Sequence, residues 1–507
     1  MNSITELLNL EDADIFISNI SINGTKKILT LETKPIRHFC PVCGFKMYSR
    51  GIKVRTINHP VLQDGYELVL KLKQRRWRCT NTPCSYTINE SFNFVDKRKR
   101  NTNATDMLII HAFRDLSVSA SSIASKYKVS DTYVLDTFDR YVKMDRLPLS
   151  DIISVDEVCL DLDPNCRYAL VIQDFYTGNP IDLLSSRRTN DTEPYFMSIP
   201  LEERSQVKYL ISDMYNPYIN WVNRYFPNAV SVVDSFHVIQ WITHKLDLYI
   251  RELIKNFKKR DRDAYTANGG IIDEHTFIPA SREVYLLQKY RWLILANHSS
   301  ITYHSDLRMD TRLHCLMNTY DYEDSLFMID PNLRELRDLK ELYVQFNTRN
   351  AGKPMDARIE LDKLINHYLH CGNSIFVDFA NLLIRNHAYI INSFVMVEKY
   401  GAGKIYSSRL SNGPIESLNR KVKGLKRLGR GYRNFEHFRT RFLYATRDTP
   451  VINGINDYNP VTYFDMEDKK IFRCKTDQAG RKTCLCYLFM IRFKKPLRNA
   501  PKKLIDF

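Results

Sequence analysis

Ile152-Ile-Ser-Val-Asp-Glu-Val-Cys-Leu160, Tyr168-Ala-Leu-Val-Ile-Gln-Asp174 and Ile181-Asp-Leu-Leu184 are three short runs rich in β-branched residues. The last two are divided by a Tyr-Thr-Gly-Asn-Pro turn. Together they read as a meander of three strands. The pattern then alternates. A helix is expected from about Asp191 to Glu203, a strand over Val207–Asp213, a helix over Pro217–Phe226, a strand over Ala229–Asp234, and a long helix from Phe236 toward Lys259. A meander followed by helix–strand alternation predicts a mixed α/β sheet.

Two acidic residues stand out in this region. Asp156 and Asp213 lie at or near strand ends, where an open α/β sheet places its ligands. Strand alternation sends Glu157 to the face opposite Asp156. Taken singly, either aspartate reads better as the cap of a turn or helix. A third carboxylate changes that. Asn412-Gly-Pro-Ile-Glu416 opens a helix in which Ser411, Asn412 or Gly413 caps, Pro414 suits the first turn, and Ile415, Leu418, Val422 and Leu425 follow at helical spacing. Glu416 sits at the positive end of that helix dipole, ahead of Arg420, Lys421, Lys423, Lys426, Arg427 and Arg430. The bland alternative is an acidic first turn on a solvated basic helix. Three converging carboxylates could instead hold two divalent ions ~3.5–4 Å apart for phosphodiester chemistry. Oxygen ligands suit magnesium or manganese, so two Mg2+ (or Mn2+) are expected there.

With 507 residues, 44% of them hydrophobic, the chain can bury more than one core. Lysine and arginine exceed aspartate and glutamate by 74 − 58 = 16, which points to a polyanionic partner, nucleic acid before a membrane surface. Met1–Ile20 carries acidic residues and no basic leader, and no apolar run approaches the ~18 residues of a membrane helix. A cytoplasmic protein with no membrane partner is expected. Eleven cysteines cannot all pair, and in a reducing compartment clustered thiols read as metal ligands. Cys40-Pro-Val-Cys43-Gly, answered by Cys79 and Cys84, predicts one structural Zn2+, with His38 as a substitute ligand. Cys159, Cys166, Cys315, Cys371, Cys474, Cys484 and Cys486 read as packing residues or bystanders.

Arg75, Arg76 and Arg78, with Trp77 among them, have the composition of a phosphate-contacting surface, although a solvated face looks similar. Asp96-Lys-Arg-Lys-Arg100 reads as an exposed linker. Ser122–Ser130 followed by Asp131–Tyr141 has helix-turn-helix spacing, which would turn Asp131, Thr132, Tyr133 and Asp136 toward a major groove; the plainer reading is a helical hairpin. From about Asp261 to Gly401 helical periodicity dominates, an insertion ahead of Glu416. Arg433–Arg447 reads as a helix with aromatics inward and arginines outward. The segment beyond it ends in a basic tail.

Four features together resemble the DDE-type transposases of bacterial insertion sequences, the ISL-three group. They are Cys40-Pro-Val-Cys43-Gly with Arg75-Arg-Trp-Arg-Cys79; Ser154-Val-Asp156-Glu; Ser212-Asp213-Met with Val233-Asp-Ser-Phe-His-Val238; and Asn412-Gly-Pro-Ile-Glu416 with Lys426-Arg and Gly431-Tyr-Arg-Asn-Phe435. The resemblance runs from the cysteine knuckle to about Asp448. It implies a ribonuclease-H-like core interrupted by a helical insertion and preceded by a zinc-binding and helix-turn-helix region that recognises terminal inverted repeats. It also implies an acidic triad of Asp156, Asp213 and Glu416. Asp234 and His237 then read either as further ligands or as a buried, hydrogen-bonded structural pair.

The expected organisation is a zinc-binding domain (1–95), a helix-turn-helix region (96–148), the first part of the catalytic core (149–260), a helical insertion (261–400), closing core helices with the final glutamate (401–448) and a basic tail (449–507). The expected partners are double-stranded DNA, both terminal repeats and target, and further copies of the chain. Lys423, Lys426, Arg427, Arg430 and Arg433 are expected to position phosphates. The rival readings are a non-catalytic zinc-dependent DNA-binding regulator on the same scaffold and a structure-selective nuclease that cuts without joining.

Overall fold

Contacts divide the chain into two units, residues 1–144 with 440–507, and residues 145–439. The computed structural model describes residues 8–448 apart from 9, 11, 13, 35, 61–64, 164–165, 272, 274–276, 402–403, 430–431 and 433, and two further strands at 473–476 and 482–485.

In the first unit, apolar alternation builds β1 (Ile15–Asn23), β2 (Lys26–Thr33), β3 (Met47–Asn58), β4 (Glu67–Cys79) and β5 (Thr87–Asn89). The sheet order is β1-β2-β4-β3, with β5 on β4; β2 and β4 run parallel and the other pairs antiparallel. Leu68, Leu70 and Leu72 on one face of β4 meet Leu29, Leu31, Ile57, Phe92 and Phe94 in a buried core. Three helices follow, α1 (Asn103–Ala112), α2 (Ala120–Tyr127) and α3 (Asp131–Tyr141). Lys128 ends α2 in the left-handed conformation, and the Ser130 hydroxyl accepts the Tyr133 N–H to open α3.

The helix Phe435–Thr446 does bury aromatics, among them Phe438, Phe442 and Tyr444, but its arginines do not all face outward as expected. Arg441 is only 3% exposed and donates to the carbonyls of Phe113 and Asp115, the latter at 2.6 Å. Those carbonyls lie just past the end of α1, where a helix leaves acceptors without intrahelical partners. Arg447 is buried as well, and Arg439 pairs with Asp182 at 2.6 Å.

The second unit contains β6 (Ile152–Asp163), β7 (Cys166–Asp174) and β8 (Pro180–Leu184), then α4 (Thr189–Met197), α5 (Leu201–Arg204), β9 (Tyr209–Ser212), α6 (Asn216–Tyr225), β10 (Val230–Val233) and α7 (Ser235–Ala267). The single helix expected over 191–203 is two, because Pro200 disfavours helix at the residue before it and starts the second. The sheet order is β10-β9-β6-β7-β8, antiparallel through the meander and parallel from β6 to β9 and β10. Ile153 and Val155 of β6 pack with Phe196, Tyr218, Trp221 and Tyr225 on one face. Ile152, on the other, packs with Phe175, Ile211, Val232 and Leu410.

The insertion is largely helical, as its periodicity predicts: α8 (Arg282–Tyr290), α9 (Trp292–Leu295), α10 (Thr319–Ile329), α11 (Asn332–Arg349), α12 (Pro354–His370), α13 (Ser374–Arg385) and α14 (His387–Asn392). It also carries hairpins that this periodicity does not show, β11 (Arg308–Asp310) with β12 (Cys315–Met317) and β13 (Met396–Gly401) with β14 (Lys404–Arg409). The chain then returns to the sheet as α15 (Gly413–Gly429), ahead of α16 (Phe435–Thr446).

Lys340 on α11 is fully buried. Its Nζ donates to the carbonyls of Ile294, Leu295 and Ala296 at 3.2, 3.1 and 2.5 Å and pairs with Glu341 at 3.0 Å, closing the end of α9. Burial lowers its pKa, and Glu341 opposes that shift. Lys340→Met would leave three carbonyls and a carboxylate without their cation. The expected loss is on the order of 3 kcal/mol, read as a fall of several degrees in the thermal melt; an unchanged melt would contradict this account of Lys340.

Candidate active site

Parallel pairing sets the geometry. Ser154 of β6 lies opposite Ile211 of β9, and Ser212 of β9 lies opposite Val233 of β10. Continued by one or two residues, that register puts Asp156, Asp213 and Asp234 in a row across three neighbouring strands. Asp156 shares the face of Ile152, against which α15 packs. Its Oδ2 accepts from Asn419 Nδ2 of α15 at 2.8 Å, and its Oδ1 accepts from the Glu157 N–H at 2.8 Å. Glu157 points the other way, as alternation predicts. There it accepts from Arg187 and from the Tyr218 hydroxyl, the latter at 3.1 Å. Arg187 in turn lies over the Tyr168 and Tyr215 rings.

The carboxylates crowd one another. Burial pushes Asp156 up to about 6, with Asp213 and Glu157 adding to the shift, while the Glu157 N–H and His237 oppose it. Burial also raises Asp213, helped by Glu157 and opposed by the Tyr215 N–H at 3.0 Å, His237 and Arg187. Asp234 is different. It is 2% exposed, and its oxygens accept the backbone N–H groups of Phe236 at 3.2 Å and Asn412 at 3.0 Å. It caps α7 and ties down the segment that begins α15.

Glu416 stands half-buried in the first turn of α15, one turn before Asn419. The carboxylates of Asp156, Asp213 and Glu416 do not all come within 4.8 Å of one another. Ligands ~2.1 Å from each of two ions ~3.5–4 Å apart can be well separated. Ser154 Oγ, His237 Nε2, Asn412 Nδ2 and Oδ1, and Asn419 Oδ1 are buried without a hydrogen-bond partner. Hydrated hard cations are the kind of group whose water would satisfy such atoms, so the donor set fits.

The four cysteines meet in the first unit. Cys40 and Cys84 sulfurs are 3.7 Å apart, Cys43 and Cys79 sulfurs 3.4 Å, and all four lie within 4.8 Å of one another. A tetrahedron with metal–sulfur bonds of about 2.3 Å has edges of about 3.8 Å, so the cluster has the size of a tetrathiolate metal site. Gly44 after the first knuckle and Ser85 after the second both take positive φ, 73° and 48°, so the wider Cys79–Cys84 gap still closes as a knuckle. A hydrogen bond from the Phe45 backbone holds the Cys43 thiol down at about 7, and burial pushes Cys79 up to about 12. His38 is not drawn into the cluster as a substitute ligand; its ring lies 4.3 Å from that of Trp77.

The expected DNA-contacting residues are dispersed. Arg76 is exposed on β4, and Arg75 and Arg78 are half-buried. Thr132 is exposed on α3, but the Tyr133 hydroxyl is engaged by Asp106. On α15, Lys423 and Arg427 are exposed and Lys426 is half-buried; helical spacing puts Arg420, Lys423 and Arg427 along the ridge that Glu416 begins. Arg430 and Arg433 lie outside the described residues. Asn419 and Arg187 escaped the sequence reading. Asn419 was detectable in principle, as a polar residue on the buried stripe of Ile415, Leu418, Val422 and Leu425.

A buried carboxylate raised from 3.8 to about 6 costs the folded state up to about 3 kcal/mol. The sign follows from the direction. Below about pH 4 both states are protonated and the penalty is absent; it grows from pH 4 to 6 and is complete above. Asp156→Asn removes it, and Asn419, whose Oδ1 has no partner, can turn to meet the new amide. In the metal-free chain Asp156→Asn should therefore melt above wild type at pH 8 and level with it near pH 4. Equal melting at both values would refute the buried charge.

A family described as transposase matches residues 153–442, more than half of the chain and the whole span from β6 into α16. Two curated relatives, each named as the transposase for insertion sequence element IS1557, come from Mycobacterium tuberculosis strains CDC 1551 / Oshkosh and ATCC 25618 / H37Rv. Each is 23% identical over 298 residues, 58% of this chain and 60% of the relative, so the match covers less than two thirds of those proteins. The matched span holds Asp156, Asp213 and Glu416 together with the sheet and helix that carry them, and on that family match the chain belongs to the ISL3, or ISL-three, family of DDE transposases.

Proposed function

We propose that this chain is an insertion-sequence DNA transposase that binds terminal inverted repeats and cuts and rejoins strands at Asp156, Asp213 and Glu416. One observation carries the reading. Two aspartates lie in register on neighbouring parallel strands, Asp156 inside β6 rather than at its end as expected and Asp213 just past the end of β9, and the helix that begins with Glu416 is bonded to the first of them through Asn419. The sheet order β8-β7-β6-β9-β10, antiparallel then parallel, supports a ribonuclease-H-like core. The α2–α3 pair, joined by three residues, supports a helix-turn-helix in which Asp131, Thr132 and Asp136 face DNA. The thiolate cluster supports one structural zinc.

Asp156, Asp213 and Glu416 would hold two magnesium or manganese ions, which when bound supply Lewis acidity at the attacking and leaving oxygens of a phosphodiester. The chain's own work is positional. Asn419 orients the Asp156 carboxylate, the Tyr215 N–H orients that of Asp213, and Asp234 holds the start of the Glu416 helix. Arg420, Lys423 and Arg427 extend the positive ridge along which a DNA strand would run. Joining two element ends requires more than one active site in the complex, so we expect a homo-oligomer on DNA.

Strand transfer with labelled duplexes carrying the element's ends, in magnesium, tests the assignment. Glu416→Gln should lower cleavage and joining by at least about 100-fold while end binding persists. Wild-type cleavage by that variant would remove Glu416 from the site; end binding without product from wild type would favour the regulator. For the cysteines, metal analysis should find one zinc per chain and none in Cys79→Ser. Chelation should weaken end binding at least about tenfold without altering the melt of the 145–439 unit. Zinc-free protein that binds ends normally would refute the structural ion.

A further inference from the structure

Beyond the carboxylate site, α7 carries Arg251, Lys255, Lys258, Lys259 and Arg262, all exposed, along one stripe of its second half. The stripe lines a cavity whose other wall includes Phe277, an aromatic ring 82% exposed. Acidic neighbours neutralise only part of it. Arg251 pairs with Asp247 at 2.7 Å and Lys255 with Glu252 at 3.5 Å. Two carboxylates share the cavity wall: Asp261 accepts the Ser281 N–H at 3.1 Å and pairs with Arg260 at 3.2 Å, and Asp273 is likewise engaged. Among the described residues Lys258, Lys259 and Arg262 have no acidic partner. A solvated helix face normally alternates signs at i, i+4 spacing, and like charges so placed repel. Three unpaired cations beside an exposed ring in a concave surface form instead a site for a polyanion.

We propose that this face of α7, the helix that leads into the insertion, is a second DNA-contacting surface, which binds the phosphodiester backbone of a duplex away from the carboxylate site. Arg251 to Arg262 spans about 16 Å at ~1.5 Å per residue, the axial length of about five phosphates on one strand at ~3.4 Å each. The contact is to backbone, so it carries affinity and register but no sequence preference. It rests on the transposase reading and deepens it, because it gives the helix leading into the insertion a task on the substrate.

The test is the salt dependence of binding to a random-sequence duplex, comparing wild type with Lys258→Ala/Lys259→Ala/Arg262→Ala. Each lost phosphate contact lowers the slope of log K against log salt by about 0.9, about 2.7 for three. The wild-type advantage should therefore shrink about 40-fold between 50 and 200 mM salt. The three side chains are exposed, so the melt should not move; Lys258→Arg/Lys259→Arg should keep the wild-type slope. Equal slopes for wild type and the alanine variant, with strand transfer intact, overturn this surface and leave the transposase reading standing. A loss confined to polyglutamate, with duplex binding unchanged, overturns it in favour of an acidic protein partner. A wild-type chain without salt-dependent duplex binding fails both readings.

Discussion

A buried hydrogen bond from the Asn412 N–H to Asp234 Oδ2 joins positions 178 residues apart. Asp234 receives it while its other oxygen caps α7, so one carboxylate fixes both the helix that leaves the sheet and the segment that returns to it. Between those points lie α7 and the whole insertion. Loop-closure entropy rises only slowly with length, so a long, separately folded excursion costs little more than a short one, provided its ends are pinned. Tyr343, Tyr368, Phe376 and Phe379 of the insertion pack into a core shared with Ile219 of α6 and Val233 of β10, and Leu286, Leu287, Leu293 and Leu326 form a second core against Ile250 and Ile254 of α7, so the insertion does not draw on the sheet for all of its stability. The return segment is held by backbone geometry rather than by apolar contact alone, which sets the rotation of α15. With that rotation, Asn419 faces Asp156.

Electrostatics then works against the fold at the same place. Three aspartates in a row across parallel strands, with Glu157 behind one of them, concentrate negative charge in a chain that is otherwise strongly basic. The structure relieves this charge unevenly. Glu157 is paired with Arg187, and Asp234 is surrounded by backbone amides. Asp156 and Asp213 receive only one or two hydrogen bonds each and are left with raised pKa values. Of the three aspartates in the row, Asp156 and Asp213 are the less fully compensated, and Asp156 is bonded to the helix of Glu416 through Asn419. Such a pattern is expected where the missing charge comes from outside the chain.

Much of the sheet could be read from the sequence because its signals are local. The meander and the two parallel strands are short β-rich runs separated by turn residues, and α15 announces itself through a cap, a proline and an apolar stripe. Features decided across long separations were not legible. The burial of Arg441 depends on carbonyls at the end of α1, and that of Lys340 on carbonyls at the end of α9. From sequence alone each is one more basic residue on a helix. Tyr133 shows the same limit: its position in α3 suggested an exposed face, but Asp106, 27 residues earlier, engages its hydroxyl. The break at Pro200 carried a local signal that the helical periodicity around it outweighed.

The two candidate ligand sets differ in a way that bears on what each could do. The cysteine sulfurs stand 3.4 and 3.7 Å apart in pairs, already close to the edges of a tetrahedron, with Trp77 and Met47 packed around them. Four thiolates at that spacing complete the coordination of one ion and leave no position for a substrate, which is the pattern of a site that stabilises structure. The carboxylates have the opposite character. They come from three elements, Glu416 on a helix, Asp156 within β6 and Asp213 just past β9, and among the described residues the Glu416 carboxylate has no hydrogen-bond or ion-pair partner. A set that incompletely surrounds what it binds leaves coordination positions for water and for a phosphate oxygen. The closed set belongs to a segment whose sheet has a modest core of its own, and the open set to a unit whose sheet is packed on both faces. An ion held by the cysteines would add rigidity where the protein core is small, whereas the carboxylates already stand on a well-packed sheet.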